Sequence, residues 1–405
     1  MKASSTSRLA IGRTRLVIAA AALTWTAWAG TAHAVGTCTA IASGLRTPLG
    51  VAWTPHGNLL VAETGVKGVA RSGRISIIGA DGARRTLLDG LPSATNDVGD
   101  ASGPSGVFLR GRTLYVSMGI GDVGVLARDA AGQPIGGTLL PNPNGPSSPH
   151  FSSVLAVHFS AAVEQTTEGF TLDAGDEQTL ATGRTVTLDR GAGDRMTIEK
   201  IVDFPDHILA PRPGLPDNVR GSNPFKLVPV DDQLYVTDGG RNVVWQVNLT
   251  THAFAPLVEF PAVPNPLFGI GPGGPTIDAV PTGIAAWGEQ LLVALFRGVP
   301  FPPGVSSIER VDPATATQAT WIGGLKTAIA VLPLADSSLL VLQHASTGLF
   351  FGGPGTLLKF SAPSGPPVLL ADCLTAPSAM ALDTRAGRLF VSDLTGRVVS
   401  LLLAP

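Results

Sequence analysis

The sequence predicts an all-β fold, a six-bladed β-propeller of four-stranded blades closed by an N-terminal strand, and three observations lead to it. A unit of roughly 50 residues recurs along the chain, a period typical of propeller blades. Gly and Pro account for 49 and 33 of 405 residues, while 44% of the residues are hydrophobic, which favours many short strands over disorder. Helical periodicity is almost absent, and radial repetition of small sheets protects the strand edges of such a chain.

Each unit begins with two strands, a and b, that can be read directly from the sequence. Strand a enters through small residues, and strand b ends near a carboxylate or an amide. The six copies read PLGVAWTPHGNLLVAETG, GPSGVFLRGRTLYVSMG, SNPFKLVPVDDQLYVTDGG, VPTGIAAWGEQLLVALFRG, TAIAVLPLADSSLLVLQHA and APSAMALDTRAGRLFVSDLTG. Strands c and d follow, separated by polar or Gly- and Pro-bearing turns, as hairpins require. The Gly that follows Pro in TPLG, GPSG and VPTG suits a crowded inner strand.

The two ends of the chain are predicted to meet in the sixth blade. That blade ends after strand c, at VVSLLLAP, so the segment CTAIASG at residues 38–44 would supply its fourth strand and close the ring as a clasp. Cys38 would lie on this strand, and Cys373 at the end of strand d of blade five. An even pair of cysteines in an oxidising compartment predicts one disulfide, and two unpaired buried cysteines are the alternative.

Residues 1–34 have the features of a secretory signal peptide, and residues 35–405 are predicted to form the propeller. The leader carries basic residues, an apolar stretch at residues 16–30 and the small-residue cleavage sequence AHA ending at Ala34. A membrane anchor is the alternative, but the apolar run is short for a span. We therefore expect a secreted or periplasmic protein whose mature chain does not insert into a membrane. The net charge of −2 gives no indication of a nucleic-acid partner.

One segment departs from the repeat. Residues 160–195, which read SAAVEQTTEGFTLDAGDEQTLATGRTVTLDRGAGDR, are more polar and more charged than their surroundings. Their short alternating stretches predict an insertion in blade two, located between strands c and d and built as one or two extra hairpins.

The residues that end strand b occupy one ring position, which comprises Glu63, Met118, Asp238, Leu295, Gln343 and Asp393. In a propeller this position lies at the end of the channel that carries the loops from strand d to a and from strand b to c. Glu63, Asp238 and Asp393 are therefore candidate metal ligands, and calcium suits such oxygen ligands. The alternative is structural, because an acid at a strand end often accepts hydrogen bonds from the amides of the next turn. Two of the six positions are apolar, so the repeat itself does not require an acid there.

The loops that join strand d to strand a are long in blades two, three and four, at residues 92–106, 206–225 and 264–283. Long loops in a compact domain are usually functional or disordered, so this sector is the predicted ligand surface. Its polar candidates are Asp97, Asp100, Asp217, Asn218 and Asn223. Arg297 and Phe301 border the sector and could clamp an anionic or planar ligand, with Pro-rich loop packing as the alternative. His344, which directly follows strand b of blade five, is a further candidate.

The order of these motifs resembles the ScyD/ScyE-type proteins, a family named after scytonemin biosynthesis clusters. The resemblance covers most of the mature chain, and its most specific parts are SNPF at residues 222–225 and GVPFPPG at residues 298–304. The chain departs from the family pattern where PHG replaces PDG at residues 55–57 and ETG replaces EAG at residues 63–65. The resemblance implies a secreted six-bladed propeller and leaves its activity open. The chain is also similar, more distantly, to NHL-repeat and lactonase-type propellers.

Two functions of different classes follow from these features. The first is a non-enzymatic, extracytoplasmic scaffold that binds a small molecule or a protein through the loop face of blades two to four. The second is a metal-dependent hydrolase of lactonase type, in which one divalent ion at the channel mouth activates water. Convergence of Glu63, Asp238 and Asp393 on one point favours the hydrolase, whereas carboxylates that each serve their own turn favour the scaffold.

Overall fold

The computed structural model describes residues 36–191 and 193–403. The predicted signal peptide, residues 1–34, lies outside the described residues. The first strands are β1 (Thr39–Ala42) and the four strands of blade one, which are β2 (Pro48–Trp53), β3 (Asn58–Glu63), β4 (Gly73–Gly79) and β5 (Arg84–Leu91). A hairpin of β6 (Ala94–Thr95) and β7 (Ala101–Ser102) leads into blade two and its insertions, which are β8 (Pro104–Arg110), β9 (Thr113–Met118), β10 (Gly124–Arg128), β11 (Pro134–Pro141), β12 (Ser153–Phe159), α1 (Ala161–Thr166), β13 (Phe170–Thr171), α2 (Ala174–Ala181), β14 (Val186–Asp189) and β15 (Arg195–Asp203).

The remaining strands belong to blades three to six and to two short hairpins. The strands before and within blade three are β16 (His207–Leu209), β17 (Val219–Gly221), β18 (Pro224–Val230), β19 (Gln233–Asp238), β20 (Val243–Asn248) and β21 (Phe254–Glu259). Those before and within blade four are β22 (Val263–Pro264), β23 (Thr276–Ile277), β24 (Pro281–Trp287), β25 (Gln290–Leu295), β26 (Ser306–Asp312) and β27 (Thr317–Leu325). Blades five and six contain β28 (Ala328–Pro333), β29 (Leu339–Gln343), β30 (Gly355–Phe360), β31 (Val368–Leu374), β32 (Pro377–Asp383), β33 (Arg388–Asp393) and β34 (Arg397–Leu402).

The strands form six blades arranged in a closed ring, which confirms the predicted six-bladed propeller. From the inner to the outer strand, the blades are β2-β3-β4-β5, β8-β9-β12-β15, β18-β19-β20-β21, β24-β25-β26-β27, β28-β29-β30-β31 and β32-β33-β34-β1. The innermost strand of every blade, strand a, contacts strand a of both neighbouring blades, and β32 of blade six contacts β2 of blade one. Closure of the ring covers the inner strand edges, as radial repetition requires.

Burial between blades explains why the strand b sequences form strands. In β3, every residue from Leu59 to Glu63 is buried, and the last five residues of β9, β19, β25 and β33 are buried in the same way. A strand covered on both faces has no need of polar alternation, so its sequence is a short continuous apolar run. Leu60 of blade one and Val116 of blade two belong to the same hydrophobic cluster, which shows that neighbouring blades share one core.

Strand a is crowded where it enters the ring, as its glycines predict. A Cβ atom on Gly50 would lie 2.4 Å from the carbonyl oxygen of Ser105 in blade two. A Cβ atom on Gly106 would lie 2.1 Å from the carbonyl oxygen of Phe225 in blade three. Both separations are too short for any side chain, so glycine is needed here because adjacent backbones approach closely.

The chain ends meet in blade six, which confirms the predicted clasp. Strand β1 pairs antiparallel with β34 as the outermost strand of that blade. Cys38, directly before β1, forms a disulfide with Cys373 in β31, and the two Cα atoms lie 6.0 Å apart. The Gly36 amide also donates to the carbonyl oxygen of Leu370 at 2.7 Å. The N-terminal segment is therefore attached to blades five and six together.

The segment at residues 160–195 lies between strands c and d of blade two, as predicted, but it differs from the expected hairpins. It forms helices α1 and α2, whose N-caps are Ser160 and Asp173. Strand β13 pairs parallel to β5 and so extends blade one at its outer edge. Strand β14 does form a hairpin with β15. Within the described residues, no helix combines the length and apolar character that crossing a membrane requires.

The insertion is anchored by a buried carboxylate on α1. Glu164 is fully buried and accepts hydrogen bonds from Thr54 and Asn58 of blade one and from Arg112 of blade two. A buried carboxylate needs such partners to offset its desolvation. These donors come from distant parts of the chain. The contacts that stabilise the helix therefore could not be predicted from the residues of the segment alone.

A further sheet, absent from the sequence prediction, lies at the loop-rich end of blades two and three. Its strand order is β10-β11-β17-β16. It therefore joins the loop between strands b and c of blade two to the long loop that precedes blade three. Leu139 of β11 is paired with Val219 of β17, and these residues are far apart in the sequence.

Candidate functional site

The predicted ring position exists in the structure, and its residues are Glu63, Met118, Asp238, Leu295, Gln343 and Asp393. Each ends the second strand of its blade and is buried. Three of them accept a hydrogen bond from the backbone at the entry to strand a of the same blade. Glu63 accepts from the Arg46 amide at 2.6 Å, Asp238 from the Asn223 amide at 2.7 Å and Gln343 from the Lys326 amide at 2.7 Å. The ring position therefore connects strand b to the loop that delivers strand a.

The Glu63 carboxylate is the centre of a buried ion cluster in blade one. Arg74 donates to it through two nitrogens, at 3.0 and 2.8 Å, and Arg84 approaches both oxygens at 3.2 Å. Ser76 donates a further hydrogen bond. Bidentate guanidinium pairing of this kind is among the strongest polar interactions in proteins, and it occupies both carboxylate oxygens.

Asp238 and Asp393 each accept hydrogen bonds from backbone amides of the turn that follows their own strand. Asp238 accepts hydrogen bonds from two amides of that turn, and from Trp245 Nε1 at 3.0 Å. Burial raises the pKa of this carboxyl. Asp393 accepts from the Thr395 amide at 2.9 Å and pairs with Arg397 at 2.7 Å. Both carboxylates therefore have the partners that the structural alternative requires.

The three carboxylates considered as metal ligands do not share a site. They belong to blades one, three and six, and each has its own set of partners. Across residues 36–191 and 193–403, no group of three or more His, Cys, Asp and Glu side chains is arranged to hold a metal ion. Calcium binding by these residues stays a prediction, and their geometry does not favour it because calcium needs several oxygen ligands around one point.

The polar candidates of the long loops divide into two groups. Asn218 and Asn223 are structural in their contacts, because their side-chain oxygens accept from backbone amides of the blade-two loop at 3.0 and 3.1 Å. Asp100 and Asp217 are exposed to solvent. Asp97 is partly buried, and this burial raises the pKa of its carboxyl. The loops thus contact one another, but these side chains do not converge on a common point through any hydrogen bond in the described residues.

Phe301 and His344 lie together in an aromatic cluster with Phe296 and Phe351. The His344 ring is 5.7 Å from Phe296 and 4.9 Å from Phe351, and Phe301 stacks on Phe351 at 4.7 Å. His344 Nδ1 is 2.9 Å from the carbonyl oxygen of Pro377. Burial lowers the pKa of His344, so the ring is neutral at neutral pH. Phe301 and His344 were predicted as separate candidates, and the sequence did not indicate that they lie together.

Two buried cations lie beside the aromatic cluster. Arg297 donates from Nε to the carbonyl oxygen of Val305 at 3.1 Å, and burial lowers its pKa. Lys326 donates to the carbonyl oxygens of Phe301, Gly348 and Phe350 at 3.2, 2.7 and 2.8 Å. Both side chains therefore contact loop backbone, and a ligand clamp by Arg297 and Phe301 stays a prediction.

A second ring position, on strand a, differs in one blade. The third residue of strand a is Gly50, Gly106, Lys226, Gly283, Ala330 or Ala379. These residues are equivalent because, in every blade, the next residue pairs with the valine two positions before the end of strand b. Five blades have no side chain or a single methyl group here, and blade three has a lysine.

The central channel contains a cavity of about 470 Å³ lined by strand a of all six blades. Its walls are apolar and include Val51, Val107, Ile284 and Met380. Among the described residues that line the cavity, Lys226 has the only charged side chain. The lining continues to the last residues of strand a, so the cavity extends toward the turns between strands a and b, opposite the loop-rich end.

The Lys226 amine has few partners. It donates to the carbonyl oxygen of Leu49 in blade one and lies 4.7 Å from the centroid of the Phe225 ring, a distance at which a cation attracts an aromatic face. Burial lowers the pKa of Lys226 to about 7, because apolar walls solvate an ammonium less well than water does. Both protonation states are therefore populated near neutral pH.

Lys226 is not among the residues predicted for the site, although the sequence contains a signal for it. The entries PLG, PSG and PTG of three blades place glycine where NPFK places lysine. A long side chain cannot fit between backbones that approach as closely as those at Gly50 and Gly106. A lysine at this position must therefore extend toward open space, and in a propeller the open space beside strand a is the channel.

No family model matches the chain, and no curated protein matches its sequence. A streptogramin B lyase structure aligns with 91% of this chain and 97% of its own, at 13% identity and a TM-score of 0.45. A gluconolactonase from Xanthomonas campestris aligns with 91% of this chain and 90% of its own, at 12% identity and a TM-score of 0.47. The PQQ-bound aldose sugar dehydrogenase from Streptomyces coelicolor aligns with 91% of this chain and 99% of its own, at 12% identity and a TM-score of 0.49. The closed ring of six blades itself establishes the fold of this chain.

Proposed function

We propose that this chain is an extracytoplasmic, ScyD/ScyE-type binding scaffold that holds a small amphiphilic anion in its central channel. One observation carries the proposal, namely a lysine in an otherwise apolar cavity that has no carboxylate partner among the described residues. The apolar walls would receive the hydrocarbon part of the ligand, and Lys226 would pair with its anionic head group. A cavity of about 470 Å³ has the size of typical small-molecule sites.

The electrostatics of Lys226 support an anionic ligand. An ammonium group that faces apolar walls is unfavourable unless it is paired, and Leu49 offers it only a neutral carbonyl oxygen. A bound carboxylate would supply the missing charge and so raise the pKa of Lys226 from its value of about 7. Binding would therefore take up a proton, and affinity for an anion would fall as the pH rises above 7.

The test uses two ligands that differ only in their head group. Octanoate should bind more tightly than octanol at pH 7 in isothermal titration calorimetry, and the difference should disappear in Lys226→Met. Lys226→Arg should keep the preference because it keeps the cation. Equal binding of the two ligands, or a preference that survives in Lys226→Met, would overturn the proposal.

The loop face of blades two to four is a second candidate. It is supported by two exposed apolar side chains in the long loop before blade four, Phe268 and Ile270, which are 60% and 86% exposed, since such residues often mark binding surfaces. The variant Phe268→Ser/Ile270→Ser separates the candidates. Loss of octanol binding in this variant, with binding intact in Lys226→Met, would place the ligand at the loop face.

The hydrolase alternative is less well supported. It needs carboxylates that are available to a metal ion, and Glu63, Asp238 and Asp393 are already bound to arginines, an indole and backbone amides. The binding function requires no such rearrangement, because the cavity and the Lys226 amine are in place.

A further inference from the structure

We propose that Lys226 is a carbonyl-capture site, at which a small apolar aldehyde or ketone in the channel is held as an imine. This inference rests on the proposed function, because it assumes that the channel admits a ligand. It goes beyond that function because it assigns a covalent bond and a second chemical class of ligand to the same amine.

The geometry around Lys226 meets the requirements of imine formation. An imine-forming lysine must have a reachable nitrogen, and the Lys226 side chain lines the cavity. It must also be free of a carboxylate that would hold it as an ammonium ion, and its hydrogen-bond acceptor is the Leu49 carbonyl. The apolar walls reduce the water available to hydrolyse the product. Lys226 satisfies all three conditions.

Lys326 provides the internal contrast. It is more deeply buried than the half-buried Lys226, at 3% exposure, but its three protons are directed to three carbonyl oxygens. An imine at Lys326 would give up these hydrogen bonds, which are costly to lose in a buried site. Burial therefore does not distinguish a reactive lysine here, whereas a nearly free amine on a cavity wall does.

The chemistry balances without an oxidant or a reductant. The lone pair of the neutral amine attacks the carbonyl carbon and forms a C–N bond, giving a carbinolamine. Both nitrogen protons pass to the oxygen, the C–O bond breaks, and one water molecule leaves as the C=N bond forms. The reaction needs neutral amine, and the pKa of about 7 for Lys226 makes its neutral fraction at pH 7 about a thousand times that of an ordinary lysine.

Among the described residues, no other titratable side chain lines the channel beside Lys226. The groups that face the channel from the six inner strands are apolar or glycine, and Lys226 itself is the one ionisable residue among the described residues of the lining. The shift in its pKa has burial as its cause, with no contribution from a neighbouring charge. Trapping should therefore increase between about pH 6 and pH 8 as a single titration.

The experiment traps the imine in the intact protein with octanal and cyanoborohydride at pH 7, followed by peptide mapping. We expect one dominant alkylated site, Lys226, with much slower reaction at the exposed Lys67. Octanoate should slow trapping by competition. Lys67→Met should leave trapping at Lys226 unchanged and serves as the matched control.

The variants separate this inference from the proposed function. Lys226→Arg should keep the preference for octanoate over octanol and yield no adduct at residue 226, while Lys226→Met should lose the preference as well as the adduct. Thermal melting verifies that each variant is folded. Octanoate binding with adducts spread over Lys67 and the other lysines would overturn the imine proposal and leave the binding function standing. Failure of octanoate and octanal alike to bind would overturn both.

Discussion

Glu63 and Lys226 are two charged residues in the interior of the same ring, and their surroundings are opposite. Glu63 is fully buried among two arginines, a serine and a backbone amide. Lys226 has one carbonyl oxygen and an aromatic ring. The first charge is compensated by the protein itself, whereas the second is not. Of these two interior charges, the one without a partner of opposite charge is the better candidate for contact with a ligand.

Replacement of Glu63 should have the largest effect on stability. Glu63→Ala leaves Arg74 and Arg84 without their carboxylate, and breaking a buried ion pair typically costs about 3–5 kcal/mol. Chemical denaturation should therefore show a strongly reduced free energy of unfolding. Met118→Leu, at the equivalent position of blade two, is the control and should cost less than about 1.5 kcal/mol. A small effect of Glu63→Ala would remove the contrast between the two charges.

Removal of the disulfide should have the next largest effect. The bond closes a loop over a sequence separation of 335 residues, and native disulfides typically contribute about 2–5 kcal/mol. Cys38→Ser/Cys373→Ser should lower the melting temperature under non-reducing conditions. Under reducing conditions the wild-type protein should approach the variant. A variant as stable as the oxidised wild type would mean that the pairing of β1 with β34 is sufficient to hold the clasp.

The stability of the wild type should depend on pH through Lys226. Its pKa is about 7 in the folded protein and about 10.4 in the unfolded chain, so the unfolded state binds more protons between these values. Folding stability therefore rises as the pH increases from about 7 toward 10. Lys226→Met should lack this contribution and should be more stable than wild type at pH 7. Parallel pH profiles for the two proteins would show that the amine is not desolvated.

Calcium should have the smallest effect. Because the carboxylates of Glu63, Asp238 and Asp393 already have partners, we expect the melting temperature to be the same with calcium and with chelator. A calcium-dependent increase that disappears in Asp238→Asn would restore the metal-site hypothesis and with it the hydrolase.

The local sequence pattern was sufficient to predict the repeated blades but not the pairing of strands that are far apart in the chain. The blade count and the clasp were predictable because each blade repeats the same local sequence, and the disulfide was predictable from the even pair of cysteines. The sheet that joins β11 to β17 was not, since Leu139 and Val219 come from different loops and neither loop has a strong strand pattern. Helix α1 was missed for a related reason, because Glu164 is stabilised by donors from blades one and two.

The sequence by itself determined that this chain repeats a blade six times and that its ends meet, because hydrophobic burial between blades imposes one pattern on every strand b. The tertiary structure alone decided which charges are compensated. The partners of Glu63 come from other strands of its blade, and the partner of Lys226 comes from another blade. A local sequence pattern does not predict these long-range contacts. For that reason Glu63, the acid that the sequence singled out, is engaged within its blade, while Lys226 on blade three lines the channel.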